Sequence, residues 1–291
     1  MTDYILGIDI GGTNIKAGIF DLKNFKIIDK KHFKTENNLE KLLKIFSNII
    51  KEFKKKYNFQ KAGIGFPGNI DKSGKIIFSP NLKASLGFNI VEWFRDKLNI
   101  SIKIDNDANV ATLAHLKFSD NEFSDIICLT LGTGIGGGVV LNKKLLSSSR
   151  NIGFELGHIN VKPDGELCSC GKKGCMEAYC SARGITKRYG NRKFKEFKDI
   201  YNLYKNGDKK AETIIKEGFF YLGIGTGNLI NIFAPEIVYF AGGISEVFNE
   251  FFENFYKGIK SSTLDFLLDK VCFEKSNIKD AGILGAVSLW I

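Results

Sequence analysis

The chain has 291 residues, 44% hydrophobic and 25% charged, a balance that fits a folded globular protein of up to two domains and excludes a disordered or fibrous chain. Its six cysteines, four of them between Cys168 and Cys180, are not spread as a secreted disulfide framework would be, and no apolar run approaches the ~18 residues of a membrane span. The formal charge of +10 sits mostly in lysine-rich stretches such as Lys51–Lys56 and Lys205–Lys210, which read as solvated faces; no basic run is interleaved with aromatics as a nucleic-acid stacking platform requires, although an anionic nucleotide would still be attracted.

Tyr4 to Ile10 is a short apolar run suited to a buried strand, broken by Gly11 and Gly12, with no signal peptide ahead of it. The expected setting is therefore the reducing cytoplasm. Ile15–Phe20 and Phe25–His32 read as the next two strands, and Leu39, Leu42, Leu43, Phe46, Ile49, Ile50 and Phe53 recur at helical spacing, predicting an amphipathic helix over 38–57. Ala62–Phe66 is a strand ended by Pro67-Gly68; Asn89–Leu98 is helical, Ile102–Asp105 a strand and Ala108–Phe118 a helix. A second set follows, with a strand at Asp125–Leu131, a glycine turn over Gly132–Gly138 and a returning strand at Gly138–Leu141. After a cysteine loop come helices at 182–189, 194–205 and 208–232, a buried strand at Ile237–Ala241, a helix capped by Ser245 and running to about Ile259, and a closing helix over Asp280–Trp290. The theme repeats in architecture, not in sequence. It predicts two α/β domains, 1–120 and 121–279, with the boundary near Phe118–Asp125, the C-terminal segment 280–291 packing back on the first domain, and glycine turns facing a cleft.

Three glycine corners follow strands. In Asp9-Ile-Gly11-Gly12-Thr13 the backbone N–H groups suit phosphate oxygens, Thr13 adds a hydroxyl, and Asp9 is placed for a magnesium ion. Lys16, on the next strand, is assigned to the same anion site. Leu131-Gly132-Thr133-Gly134-Ile-Gly-Gly-Gly138 packs five glycines into seven positions, an entropic cost that close backbone contact with a polyanion would justify. Ala241-Gly242-Gly243-Ile-Ser245 is the third corner. At the strand-to-helix junction Asn106-Asp107-Ala108-Asn109, one helix cap uses only one of three polar residues, leaving Asp107 to accept a proton from a hydroxyl and Asn106 to bind its neighbour. In the loop, Cys168, Cys170, Cys175 and His158 form a Cys3His set with tetrahedral zinc spacing, flanked by Glu155 and Glu177; small buried thiols or a disulfide are the alternatives.

Together these segments resemble the ROK family of sugar kinases and repressors, in the actin, heat-shock-chaperone and hexokinase ATPase superfamily. The resemblance runs through Asp9-Ile-Gly-Gly-Thr13, Gly63-Ile-Gly-Phe-Pro-Gly68, Ser79-Pro-Asn-Leu82, Asn106-Asp-Ala-Asn109, Leu131-Gly-Thr-Gly134, Glu155-Leu-Gly-His158, Cys168-Ser-Cys-Gly-Lys-Lys-Gly-Cys-Met-Glu177 and the Gly285-Ala286 helix. It implies a two-domain, ribonuclease H-like or actin-like ATPase fold of α/β class with an interdomain cleft and a zinc loop over 158–175. It further implies an ATP- and Mg2+-dependent hexokinase, glucose favoured, acting as a homodimer. Asp107 would be the base on the C6 hydroxyl; Gly68, Asn81, Asn106, Glu155, His158 and Glu177 would bind the sugar; Gly11, Gly12, Thr13, Thr133 and Gly134 would hold phosphates, with Gly242 and Gly243 near the adenosine.

Three positions depart from the family pattern: Phe154 replaces a glycine before the sugar-binding glutamate, His115 stands where many members carry glutamate, and Ala241 replaces the first glycine of a triple. N-acetylmannosamine, mannose, fructose and allose remain alternative substrates, and polyphosphate an alternative donor. A sugar-responsive regulator is disfavoured, because only eight residues precede Asp9 and no helix-turn-helix fits there. A zinc-stabilised binding protein without turnover is disfavoured by the retained Asp9 and Asp107.

Overall fold

The computed structural model describes residues 3–120, 122–148, 151–191, 193–194 and 196–291. The chain divides into two units: Met1–Glu122 with Leu145–Gly153 and Ile278–Ile291, and Phe123–Lys144 with Phe154–Asn277.

In the first unit the order is β1 (Tyr4–Ile10), β2 (Asn14–Asp21), β3 (Lys26–Lys34), α1 (Leu39–Lys54), β4 (Lys61–Phe66), β5 (Asn69–Ile70), β6 (Ile76–Phe78), α2 (Ile90–Leu98), β7 (Ser101–Asn106) and α3 (Asp107–Phe118). The sheet runs β3-β2-β1-β4-β7, with β1 antiparallel to β2 and parallel to β4, and β4 parallel to β7. Helix α1 starts where the Asn38 side chain accepts the Lys41 amide, and it buries Leu42, Phe46, Ile49, Ile50 and Phe53 in the core around Ile8 and Ile64. The β5–β6 ribbon has no counterpart among the predicted elements, since strands of two and three residues carry no readable period.

The second unit contains β8 (Ile126–Leu131), β9 (Ile135–Leu141), β10 (Lys144–Leu145, whose second residue already counts with the first unit), α4 (Met176–Cys180), α5 (Ala182–Tyr189), α6 (Phe197–Lys205), α7 (Lys209–Phe233), β11 (Ile237–Ala241), α8 (Phe252–Lys260), α9 (Asp265–Leu268) and β12 (Cys272–Lys275). Its sheet order, β10-β9-β8-β11-β12, reproduces the first: β8 is antiparallel to β9 and parallel to β11, which is parallel to β12. Helix α6 begins three residues later than predicted, and residue 195 of the predicted span lies outside the described residues.

Two expectations are corrected here. The glycine turn closes within Gly132–Gly134, and Gly136, Gly137 and Gly138 belong to β9. A Cβ on Gly137 would lie 2.7 Å from Leu156 Cδ1, so that glycine admits the short 3-10 turn Leu156–His158 against the strand, not a polyanion. Nor does Ser245 cap a helix. Gly243–Phe251 is a run of 3-10 turns, inside which the Ser245 hydroxyl donates to Gly242 O at 2.7 Å. Residues three apart eclipse on such turns, which brings Phe248 and Phe251 onto the same ring, Phe219, at centroid distances of 6.3 and 5.0 Å.

The last helix, α10 (Ala281–Ser288), packs on α3 and on β1 and β4 of the first unit. The approach depends on missing side chains: a Cβ on Gly285 would sit 1.7 Å from Val110 O, and one on Gly63 1.7 Å from Ala286 O. Among the described residues no helix is long and apolar enough to cross a membrane.

His115, in the middle of the α3 packing, is fully buried, and burial brings its imidazole down to about 4 from 6.5. Between those values the unfolded chain takes up a proton that the folded chain refuses, so stability present above pH 6.5 is lost as the pH falls toward 4. The loss at that one site amounts to about 3 kcal/mol. Chemical denaturation of the wild type and a His115→Gln variant across that window is expected to show the difference as a steeper acid slope in the wild type.

Candidate functional site

Strand β1 delivers Asp9 to the C-terminal edge of the first sheet, directly opposite Lys16 of β2 in the antiparallel ladder. Burial raises the Asp9 carboxyl, the Lys16 ammonium lowers it, and Asp280 raises it again. The α10 backbone comes close enough that a Cβ on Gly282 would lie 2.3 Å from the Asp9 carboxylate. Beyond Asp9, the Gly11-Gly12-Thr13 turn is fixed from behind: Gly11 N donates to Asn14 O, Thr35 Oγ1 to Gly11 O at 2.8 Å, and Thr35 N to Thr13 O at 2.9 Å. Gly12 and Thr13 are exposed, and Asn81 stands beside them, 3.2 Å from where a Gly12 Cβ would be. The sequence pattern gave no notice of Thr35, which lies 22 residues beyond Thr13 and meets it only through the β2–β3 pairing.

The end of β7 carries the second feature. Asn106 caps α3, its Oδ1 accepting from Ala108 N at 2.9 Å and Asn109 N at 3.4 Å, while its Nδ2 donates to Gly68 O at 3.2 Å. The Gly68 carbonyl thereby uses one of its two lone pairs, and the tight place of this residue beside Phe78 O, where a Cβ would come within 2.1 Å, explains the glycine. Asp107, the first residue of α3, is half-buried and accepts from Ala108 N at 2.9 Å. Its Cα lies over Gly65 of β4, 3.7 Å from the position of an absent Cβ. Asp105, which the pattern assigned only to a strand end, takes Asn106 N at 2.7 Å and Asn109 Nδ2 at 2.9 Å on one oxygen, and burial holds its carboxyl above the usual range.

In the second unit the Gly132-Thr133-Gly134 turn is closed by Gly132 N donating to Gly134 O, and it is held from outside by Ala182 N on Gly132 O and Arg183 N on Thr133 O. Thr133 is left exposed at its tip. Gly242 adopts φ 93 and abuts the end of β8, with a would-be Cβ 2.5 Å from Leu131 O, so the second and third glycine corners are neighbours; Gly242 and Gly243 are both exposed.

The loop gathers its predicted ligands. His158 Nδ1 and the sulfurs of Cys168, Cys170 and Cys175 all lie within 4.8 Å of one another, with Cys168 Sγ 3.6 Å from His158 Nδ1 and Cys170 Sγ 3.7 Å from Cys175 Sγ. All six cysteines are free, which removes the disulfide alternative. Without a cation two of the three thiols resist ionisation: burial and then the neighbouring Cys170 push Cys175 up to about 12, and burial raises Cys168, whereas Cys170 is lowered, burial being outweighed by hydrogen bonds from the Lys172 amide and the other two thiols. Three sulfurs and one imidazole converging this closely suit a tetrahedral dication. Gly171 and Gly174 turn the loop at φ 84 and 80, and backbone bonds from Cys168 N to Lys172 O and Val161 N to Gly174 O hold it.

The two flanking carboxylates differ. Glu155 is exposed, in the turn that leads to His158, whose N–H donates to Glu155 O. Glu177, expected to be held at the loop's end, is nearly buried there. It is 8% exposed; Oε2 accepts Ile135 N at 2.9 Å and Oε1 accepts Ser169 Oγ at 2.7 Å. It therefore ties the Gly134 turn to the cysteine loop, and a Cβ at 134 would lie 2.5 Å from Glu177 Oε2, so a larger residue there would have to displace the carboxylate.

Residues 5–291 match the ROK family over nearly the whole chain. The chain belongs to the ROK family. It is 32% identical to a glucokinase of Thermotoga maritima (98% of this chain, 96% of the relative), 32% to a xylose repressor of Bacillus subtilis (84% and 65%) and 30% to an N-acetyl-D-glucosamine kinase of Pectobacterium carotovorum (97% and 97%). Its fold superposes on a ROK family glucokinase from Streptomyces griseus in complex with glucose and AMPPNP with a TM-score of 0.82 at 26% identity, covering 98% of both chains. The actin-like α/β ATPase fold expected from the sequence is thus the fold observed.

Against the ROK pattern, Phe154 holds φ 55, a left-handed conformation that glycine adopts without strain and an aromatic residue does not. The substitution leaves the sequence's own Glu155-to-His158 turn in place. A Glu177→Ala variant strands the buried Ile135 amide, while the exposed Ser169 hydroxyl turns to water, and is expected to cost about 2 kcal/mol of stability. Hydrogen exchange should show faster opening of both residues 132–136 and 166–175, not of the loop alone.

Proposed function

We propose that this ROK protein is an ATP-dependent hexokinase that phosphorylates the C6 hydroxyl of a hexose, with glucose ranked first. The observation that carries the reading is Asp107 at the first turn of α3, fixed by the Ala108 amide and an Asn106 cap, in a chain whose relatives at 32% and 30% identity include sugar kinases. A carboxylate so held can take the hydroxyl proton as the bond from O6 to the γ-phosphorus forms and the bond to the leaving ADP breaks. In phosphoryl transfer most of its value is orientation of the nucleophile.

The assignment gives the first unit the base, the sugar contacts Gly68, Asn81 and Asn106, and the phosphate contacts Gly11, Gly12, Thr13 and Lys16. It gives the second unit Glu155 and His158 for sugar hydroxyls, Thr133 and Gly134 for phosphate, and Gly242 and Gly243 for the adenosine. Glu177 is also given to the sugar hydroxyls, since each of its oxygens keeps acceptor capacity beyond the bonds from Ile135 N and Ser169 Oγ. Asp9, at the end of β1 beside the Gly11-Gly12-Thr13 turn, is the residue assigned to the Mg2+ that would arrive with ATP and neutralise phosphate charge. Zn2+ at His158, Cys168, Cys170 and Cys175 would be structural and supply folding energy, not chemistry. The chain is proposed to act as a homodimer in the cytoplasm.

N-acetylated hexoses, mannose, fructose and allose are the competing acceptors, and the likeness to an N-acetyl-D-glucosamine kinase favours testing the first. The likeness to a xylose repressor supports a regulator as the second reading; duplex-DNA binding that survives physiological salt would favour it over the kinase.

Three measurements test the proposal. Ranking hexoses and their N-acetyl derivatives by kcat/KM, with ATP and polyphosphate as donors, is expected to put glucose with ATP first. An Asp107→Asn variant should keep hexose binding in calorimetry while losing about 10³-fold in kcat; normal turnover would sink the assignment. Elemental analysis is expected to find one zinc per chain, and stripping it with a chelator should unfold residues 158–175 as seen by hydrogen exchange.

A further inference from the structure

Asp105 stands immediately before the capped junction, and its hydrogen bonds close around Asp107 from both sides. The Asn106 amide, one residue before Asp107, donates to Asp105 Oδ1 at 2.7 Å; the Asn109 side-chain amide, two residues after it, donates to the same oxygen at 2.9 Å. The Ala108 N–H is shared by two acceptors at 2.9 Å, Asn106 Oδ1 and Asp107 Oδ1. That shared donor couples the Asp107 carboxylate to the Asn106 cap, so whatever fixes Asn106 bears on the orientation of Asp107. Asn106 is pinned by four bonds: its amide proton to Asp105, its Nδ2 to Gly68 O, and two accepted by its Oδ1 as the cap, from Ala108 N and Asn109 N. Asp105 also lies in register with Gly65 and, one strand further, Asp9 (Gly65 pairs with both), so its main chain is held by the ladder of β4 and β7 rather than by a loop. That is the requirement for a rigid clamp.

We propose that Asp105 is a positioning residue for phosphoryl transfer, clamping Asn106 and Asn109 so that the Asp107 carboxylate keeps the orientation in which it receives the hydroxyl proton. The inference rests on the reading of Asp107 as the base. It implies that the geometry of the clamp, an acceptor oxygen at this place, matters more than its charge, and that its loss slows the chemical step without weakening hold on either substrate. A displacement of about 1 Å in a reacting group can cost on the order of 100-fold.

The test is steady-state kinetics with ATP and the best acceptor of the hexose panel, with active-site concentration taken from calorimetric hexose stoichiometry. Asp105→Ala is expected to lower kcat by about 10- to 100-fold with both KM values within about threefold of the wild type. Asp105→Asn, which keeps an acceptor oxygen in the same place, is expected to restore kcat to within about threefold. Should Asp105→Ala fail to fold, Asn109→Ala removes one arm of the clamp and is expected to lower kcat about fivefold at unchanged KM. The inference is overturned by an alanine variant with kcat within twofold of wild type, by an asparagine variant as slow as alanine, or by losses carried in KM alone. Asp107→Asn measured alongside separates the two readings: normal turnover there removes both, whereas a dead Asp107→Asn beside an unimpaired Asp105→Ala removes only the clamp.

Discussion

Helices α3 and α10 can lie directly on the first sheet only where side chains are missing, and everything else in that unit follows from the contact. Gly7 and Gly63 receive α10, Gly65 receives Val110 and the start of α3, and Gly285 lets the two helices touch backbone to backbone. At distances of 1.7 to 2.6 Å from a would-be Cβ, no rotamer change could relieve a larger residue, because most of the opposing atoms are main-chain carbonyls. The glycines cost chain entropy and return a fixed height of helix above sheet. That height sets where Asp107 begins and how closely α10 covers Asp9.

The second unit solves a comparable problem with a charge instead of a space. A turn of three residues and a loop of polar residues have little apolar surface with which to hold one another. Glu177, itself nearly buried, joins them, one oxygen on the Ile135 amide and the other on the hydroxyl of the exposed Ser169. Hydrogen bonds to a carboxylate are among the stronger ones available, and burial shields the one from the Ile135 amide from competition by solvent. The sulfur and imidazole cluster adjoins the same carboxylate, with Cys168 Sγ 3.6 Å from Glu177 Oε1. Under the proposed reading, the groups that meet phosphate and those that meet sugar in this unit are braced through one side chain.

Much of this was legible in advance for reasons that can be named. Strands β1, β4, β8 and β11 are continuous apolar runs because both faces are covered, and α1 shows the helical period because one face is not. The Cys3His spacing announced its cluster because metal ligands must lie close in a short loop. What stayed hidden was mostly about partnership. Gly136 to Gly138 resembled a phosphate turn, whereas they form a strand onto which Leu156 packs; a glycine run has the same letters whether a ligand or a side chain fills the space. Ser245 had the look of a cap, but the aromatic cluster around Phe219 and Phe240 winds its segment into 3-10 turns.

The sequence by itself determined the family, the alternation of strand and helix, the ligand set of the loop and the identity of the junction at Asn106–Asn109, since each rests on spacing within a few tens of residues. Only the tertiary structure decided which of those polar groups are already committed. Gly68 O belongs to Asn106, Glu177 to Ile135 and Ser169, Asp105 to the first turn of α3, and Thr35 to the turn at Gly11. A side chain's chemistry is written in the chain, but its free valences depend on neighbours brought from far along it, and those are known only once the backbone has closed.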